Sequence, residues 1–134
     1  MKRLIAILAL CPMIAFAASK EEREYMKTEV KPAVDGAQAA YKTACGCALT
    51  IKIADSIKTK DDMYQAKYIA NSVKDEAAGY CTDAESKKAV CQMKTLEITK
   101  GKESKFTFSG GKGVSVTDGN SFYGFSMMTP ELDK

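Results

Sequence analysis

Apolar residues recur every three or four positions across residues 20–43, which is the spacing of one face of an α-helix. The stripe consists of Met26, Val30, Ala33 or Val34, Ala37, Tyr41 and Ala44. Pro32 and Gly36 interrupt this pattern, because proline cannot donate a backbone hydrogen bond and glycine weakens a helix. The sequence therefore predicts a kinked helix or two shorter ones.

The stretch TACGCALTIKI, residues 43–53, changes the period from three or four residues to two. Apolar side chains occupy alternate positions in it, namely Cys45, Cys47, Leu49, Ile51 and Ile53. Alternation of this kind is typical of a strand with one buried face. A helix could instead align Cys45, Leu49, Ile53 and Ile57 at spacings of four. The β-branched residues and the central Gly46 favour the strand.

Two further helices are predicted from start signals. Thr59 can cap a helix, and Asp61 and Asp62 suit its first turn, where carboxylates face the positive end of the dipole. The buried stripe of this helix would be Met63, Ala66, Ile69 or Ala70, Val73 and Ala77, with Gly79 as terminator. Thr82 and Glu85 form a capping-box pattern, so a short helix is expected to run through Val90 and Cys91.

From Met93 onward the pattern is that of short strands separated by glycine-rich turns. The alternating pairs are Leu96 and Ile98, Phe106 and Phe108, and Val114 and Val116. The GGKGVS stretch does not match the spacing of a phosphate-binding loop, so it is interpreted as a hairpin turn. Asp118-Gly119 is a second hairpin signal, and residues 121–127 would form the last strand.

Helices that precede a run of strands indicate an α+β domain. We expect two or three helices packed on one face of an antiparallel sheet that ends in a C-terminal β-meander. Residues 18–134 form one domain in this interpretation, since a chain of this length supports a single hydrophobic core.

The first residues indicate export. Lys2 and Arg3 precede an apolar run of roughly a dozen residues, and Ala15-Phe16-Ala17 fits a signal-peptidase site. Residues 1–17 are therefore predicted to be a cleaved signal peptide, with cleavage after Ala17 or Ala18. The run is shorter than the about 20 residues that span a bilayer, so no stable membrane anchor is expected. The predicted location is the periplasm or the exterior.

The charge of the chain argues against a nucleic-acid partner. The 134 residues contain 20 Lys and Arg and 17 Asp and Glu, a net charge of +3. Removal of Lys2 and Arg3 with the signal peptide leaves about +1, with no basic stripe along the remaining sequence.

Histidine is absent, which excludes catalytic pairs and metal sites that depend on imidazole. The carboxylates at 61, 62, 83 and 85 are explained by helix starts, so the sequence indicates no catalytic residue and no cofactor. A hydrolase acting through carboxylates, lysine or serine remains a third hypothesis, without a motif to support it.

Four cysteines remain once Cys11 is removed with the signal peptide: Cys45, Cys47, Cys81 and Cys91. In an oxidising compartment an even number of cysteines indicates disulfides. Cys81 and Cys91 would lie about nine helical residues apart, roughly 13 Å, beyond the approximately 7 Å that a disulfide can bridge. The two connectivities left are 45–81 with 47–91, and 45–91 with 47–81. Either would fasten the first strand to the third helix region.

Cys45 and Cys47 could also have either of two other roles. A Cys-x-Cys pair can exchange disulfides if a helix N-terminus or a cation lowers its thiol pKa, but this pair lies in a predicted strand. The same sulfurs could hold Cu(I) with Met63 or Met93, because thiolate and thioether are soft ligands. Both methionines fit apolar patterns instead, and no metal is predicted.

The predicted last strand carries the candidates for recognition of a partner. Tyr123, Phe125 and Met127 would share one of its faces, with Phe122 on the other. Aromatic residues and methionine are enriched where proteins bind each other. The leading hypothesis is an exported, non-enzymatic module that binds another envelope protein, as an inhibitor or immunity-type protein would. The alternative is a periplasmic thiol-redox or Cu(I)-handling protein that uses Cys45 and Cys47. The sequence leaves self-association open.

Overall fold

The computed structural model describes residues 19–133, which form an α+β domain, as the sequence predicts. The predicted signal peptide, residues 1–17, lies outside the described residues. In chain order the elements are α1 (Lys20–Tyr25), a π-helical segment (Met26–Val30), α2 (Lys31–Cys45), β1 (Thr50–Ile53), α3 (Lys60–Tyr80), α4 (Ala84–Val90), β2 (Thr95–Lys100), β3 (Lys105–Ser109), β4 (Lys112–Thr117) and α5 (Phe125–Leu132).

The first helical region is continuous through an unusual widened turn. Ser19 caps α1 in a capping box with Glu22, and α1 leads directly into the π-helical segment. At its end the N–H of Lys31 donates to the carbonyl of Met26, five residues back. Pro32, which has no N–H, follows at the start of α2. The predicted interruption near Pro32 is thus a π-helical turn, with no break in the chain of helical turns.

The prediction of a strand from Cys45 was wrong over its first half. Helix α2 continues to Cys45, which is buried one helical turn beyond Tyr41, and Gly46 ends the helix with a φ of 75°. Its N–H donates to the carbonyl of Lys42. Only Thr50–Ile53 is a strand. Cys45 and Cys47 therefore do not belong to one strand: Cys45 is the last residue of α2, and Cys47 lies in the loop that follows.

The helix starts were predicted closely but not perfectly. Thr59 caps α3 in a reciprocal pair with Asp62, as expected. The cap of α4 is Asp83, whose carboxylate accepts from the N–H of Ser86 at 2.7 Å, so the predicted cap at Thr82 was one residue early. Both residue types can cap, and only the backbone conformation distinguishes them.

The sheet is mixed, so the predicted antiparallel sheet and C-terminal meander were wrong. Its strand order is β1-β2-β4-β3, with β1, β2 and β4 parallel and only β3 antiparallel to β4. The short connection after β2 crosses the end of β4 to reach the edge position. Gly101 makes this possible, because a Cβ there would lie 2.6 Å from Cγ1 of Val116. The β3–β4 turn at Gly110-Gly111 is the one predicted hairpin that forms.

Residues 121–127 do not form the last strand; α5 begins at Phe125 instead. The side chains of Phe125, Met128 and Leu132 are buried at helical spacing. Pro130 is tolerated within α5 because the hydroxyl of Thr129 donates to the carbonyl of Ser126, which Pro130 has no N–H to reach. Asp118-Gly119 forms a turn leading to α5, and Asp118 accepts backbone bonds from Asn120 and Ser121.

The core lies between α2, α3, α5 and one face of the sheet. Its largest fully buried side chains include Tyr41, Ile69, Met93, Leu96, Ile98, Phe125, Met128 and Leu132. The hydroxyl of Tyr41 donates to the carbonyl of Val90 at 2.6 Å, which ties α2 to the end of α4. Burial raises the pKa of Tyr41 well above its ordinary value.

Two disulfides join the helices, Cys45–Cys81 and Cys47–Cys91. The expected staples are confirmed, and the structure selects the first of the two connectivities that the sequence left open. Cys45 and Cys81 end α2 and α3, whereas Cys47 and Cys91 lie in the next loop and just after α4. The bridges thus fasten helix ends together, in place of the strand-to-helix attachment that the sequence predicted.

Candidate functional site

The structure separates the four residues predicted to bind a partner. Phe125 is fully buried, with its ring edge-on to Tyr41 and Tyr80. Phe122 and Tyr123 are half-buried in the segment before α5, and Met127 is 51% exposed on α5 itself. They do not form one strand face, because residues 121–127 are not a strand. Phe125 is therefore a core residue, and Phe122 and Met127 remain at the surface.

Phe122 meets two tyrosines of α3, and these three rings form what we call the aromatic surface. The ring of Phe122 stacks on Tyr68 with 6.1 Å between centroids and 4° between planes. Tyr68 in turn meets Tyr64 edge-on at 4.6 Å, and their hydroxyls are hydrogen-bonded at 2.7 Å. Tyr64 and Tyr68 are 45% and 40% exposed. The two tyrosines are open to solvent, and the half-buried ring of Phe122 continues the patch.

Helix α3 positions the two tyrosines because they lie beside its buried stripe. Met63 and Ala66 face the core, whereas Tyr64 and Tyr68, four residues apart, lie one above the other on the outer side. The segment that carries Phe122 is held against α3 by the N–H of Phe125, which donates to the hydroxyl of Ser72 at 3.0 Å. The rings are thus fixed by the backbone of two elements.

Two ion pairs border the aromatic surface and link α3 to the first helical region. The ammonium of Lys60 binds the carboxylate of Glu21 at 2.9 Å, and Lys67 binds Glu29 at 3.3 Å. The hydrogen bond that each lysine donates to its carboxylate partner raises the pKa of the lysine, and the bond that Glu21 accepts from Lys60 lowers the pKa of Glu21. The pairs are exposed, so each contributes little to stability. They leave the rim with charges of both signs.

Tyr25 lies next to these lysines at the point where α1 becomes the π-helical segment. Its hydroxyl is buried and has no hydrogen-bond partner among the described residues. Its ring lies 5.7 Å from the ammonium of Lys60. In the neighbouring tyrosine pair, the hydrogen bond between Tyr68 and Tyr64 raises the pKa of Tyr68, and burial makes a smaller contribution in the same direction. The π-helical segment begins at Met26, which directly follows Tyr25, so this rare kind of turn lies beside Tyr25.

Sequence reasoning missed Tyr64 and Tyr68. The predicted apolar stripe of α3 matches the buried residues of this helix, but the prediction did not include the aromatic residues beside that stripe. The signal was present, since large aromatic side chains on the solvent side of an amphipathic helix have no packing role within that helix. Phe122 was a candidate for a different reason, and only the fold brings it to Tyr68.

The arrangement offers two exposed aromatic rings and one half-buried ring for contact, with charged side chains of both signs nearby. Within residues 19–133, no group of three or more His, Cys, Asp or Glu residues could hold a metal ion. No helix in the same range is long and apolar enough to cross a membrane. Comparison with known proteins shows that no family model, curated protein or solved structure matches the chain.

Proposed function

We propose that this protein is an exported, non-enzymatic binding module that recognises another protein of the cell envelope, as an inhibitor or an immunity-type protein. The observation that carries the proposal is the aromatic surface, in which the exposed Tyr64 and Tyr68 meet the half-buried Phe122. Tyrosine is enriched among the residues that dominate binding energy at protein interfaces. Its ring also offers a large contact area at a small cost in side-chain entropy.

The surface is ordered before any partner arrives. The hydrogen bond between the hydroxyls of Tyr64 and Tyr68, together with the stacking of Tyr68 on Phe122, restricts the motion of all three rings. Binding therefore requires little further ordering, and that cost is one of the main terms opposing association. The two disulfides indicate an oxidising environment, which supports a location in the periplasm or outside the cell.

The proposal can be tested by photo-crosslinking in living cells. A photoreactive phenylalanine analogue is placed at Tyr68, and as a control at Thr107, which is exposed on the edge strand β3 and is not part of the aromatic surface. We expect one protein to be crosslinked from position 68 and not from 107. That protein is then purified, and its affinity is measured by calorimetry.

The matched variants are Tyr64→Ala with Tyr68→Ala, and Thr107→Ala. Loss of two central aromatic side chains should weaken the purified complex about tenfold or more, while Thr107→Ala leaves it unchanged. A thermal unfolding curve for each variant shows that the fold persists. Equal crosslinking from both positions, or an affinity indifferent to the tyrosines, would contradict the proposal.

The alternative hypothesis of a thiol-redox or Cu(I) function requires Cys45 and Cys47 as thiolates or as a pair with each other. Here their sulfurs are bonded to Cys81 and Cys91. The oxidised form therefore offers neither a Cys45–Cys47 disulfide nor a pair of thiolates at these positions, so a site made of these two cysteines together gains no support from it.

A further inference from the structure

The two disulfides differ in their access to solvent. Cys45 and Cys81 are 4% and 6% exposed and belong to the core. Cys47 and Cys91 are only partly buried and pack at its margin. A thiolate must reach a sulfur atom to exchange with it, so the outer bridge is the one open to external thiols.

A groove of about 580 Å³ leads to Cys91. The groove is lined by Phe108 and the β3–β4 turn, and also by Lys88 and Lys94. Each lysine is three residues from Cys91, both are exposed, and neither forms an ion pair among residues 19–133. Two lysines that form no ion pair within the described residues therefore line the groove that reaches the partly buried Cys91.

From these observations we infer that Cys47–Cys91 is a thiol–disulfide exchange site, and that Lys88 and Lys94 make it selective for anionic thiols. The attacking thiolate forms a bond to Sγ of Cys91. The Cys47–Cys91 bond breaks, and its electron pair leaves on Sγ of Cys47 as a thiolate. One disulfide is exchanged for another, so no oxidant is consumed. The transition state spreads one negative charge over three sulfur atoms, which the lysines stabilise. This inference is independent of the proposed binding function.

The first test identifies the bridge. The folded protein is treated with a limiting amount of 2-mercaptoethanesulfonate, quenched with an alkylating agent and mapped by peptide mass. We expect the mixed disulfide on Cys91 and the alkyl group on Cys47, while Cys45–Cys81 stays intact. Modification of Cys45 or Cys81 first would overturn the assignment, as would complete resistance of both bridges.

The second test measures selectivity. Exchange rates are compared for 2-mercaptoethanesulfonate, which is anionic, and cysteamine, which is cationic, each divided by its thiolate concentration. Replacing both groove lysines (Lys88→Ala with Lys94→Ala) should lower the ratio of the two rates about fivefold or more, since one unit charge at close range changes a rate by about this factor even in water. Intrinsic thiol reactivity cancels, because the same two thiols are used on both proteins.

Two controls complete the comparison. Lys87→Ala with Lys102→Ala removes the same charge from exposed positions outside the groove, and should leave the ratio unchanged. Lys88→Arg with Lys94→Arg keeps the charge and should preserve selectivity. If the control pair lowers the ratio as much as the groove pair, net charge explains the effect and the site is disproved. An unchanged ratio in the groove variant disproves the role of the lysines.

Discussion

Asp62 shows how one side chain can join two distant elements. Its carboxylate is almost fully buried, accepts from the ammonium of Lys100 at 2.7 Å, and caps α3 together with Thr59. Burial alone raises the pKa of Asp62, but hydrogen bonds from Lys100 and Thr59 outweigh it and hold the pKa below its ordinary value. The ionised carboxylate therefore stabilises the folded state, and this stabilisation is lost as the pH falls through the folded-state pKa.

We expect Asp62→Asn to lower the free energy of unfolding by about 1–2 kcal/mol at pH 7, because Lys100 loses its charged partner. The difference from the unsubstituted protein should begin to shrink near pH 4, where the carboxyl of the unfolded chain takes up a proton, and should continue to shrink as the pH falls through the lower folded-state pKa. Urea unfolding at neutral and acidic pH measures it. The matched control is Asp61→Asn, an exposed carboxylate in the same turn of α3. A gap between Asp62→Asn and the parent that is the same at both pH values would contradict the assignment.

At the scale of elements, two glycines of similar surroundings have opposite roles. Gly46 ends α2 with a φ of 75°, and Gly79 lies in the last turn of α3 without a positive φ. A Cβ at either position would meet nothing within 4 Å. Steric contact therefore does not distinguish them, and only the backbone conformation does.

We expect Gly46→Ala to destabilise the protein by about 1–2 kcal/mol, since a side chain is strained in the left-handed region. Gly79→Ala should stabilise it by about 0.5–1 kcal/mol, because alanine loses less conformational entropy in a helix. Thermal and urea unfolding of both variants give the two signs. Destabilisation of similar size in both would show that backbone conformation is not what separates these positions.

At the scale of the whole molecule, the two disulfides contribute to the free energy of unfolding. They span 36 and 44 residues, so in the chain-entropy model each contributes about 4 kcal/mol. The two differ in packing, since Cys45–Cys81 lies in the core and Cys47–Cys91 at its margin.

We therefore expect Cys45→Ala with Cys81→Ala to lower the free energy of unfolding by about 1–2 kcal/mol more than Cys47→Ala with Cys91→Ala, because the first pair also leaves a cavity in the core. Urea unfolding of the two double variants makes the comparison directly. A larger loss from the outer pair would mean that the margin around Cys47 contributes more to stability than its burial indicates.

Much of this fold could be predicted from local patterns, because an amphipathic helix records its buried face and its cap in adjacent residues. Thr59 and the stripe from Met63 to Ala77 are examples. The prediction of a strand at Gly46 was wrong, because the short apolar run around it fits both a strand and a helix end followed by a loop. Residues 121–127 failed for a related reason: Phe125, Met128 and Leu132 carry a helical period that an aromatic-rich segment and Pro130 obscured.

The sequence by itself determined the helices before β1, the start of α3, the α+β class and the narrowing of the disulfides to two connectivities. These features depend on periodicity and capping, which involve neighbouring residues, and on the length of the chain, and none of them requires knowing which distant segments meet. Only the tertiary structure decided that β4 lies between β2 and β3, that Cys45 bonds Cys81, and that Phe122 stacks on Tyr68. Those outcomes depend on which distant segments meet, and no local period in a single chain specifies that.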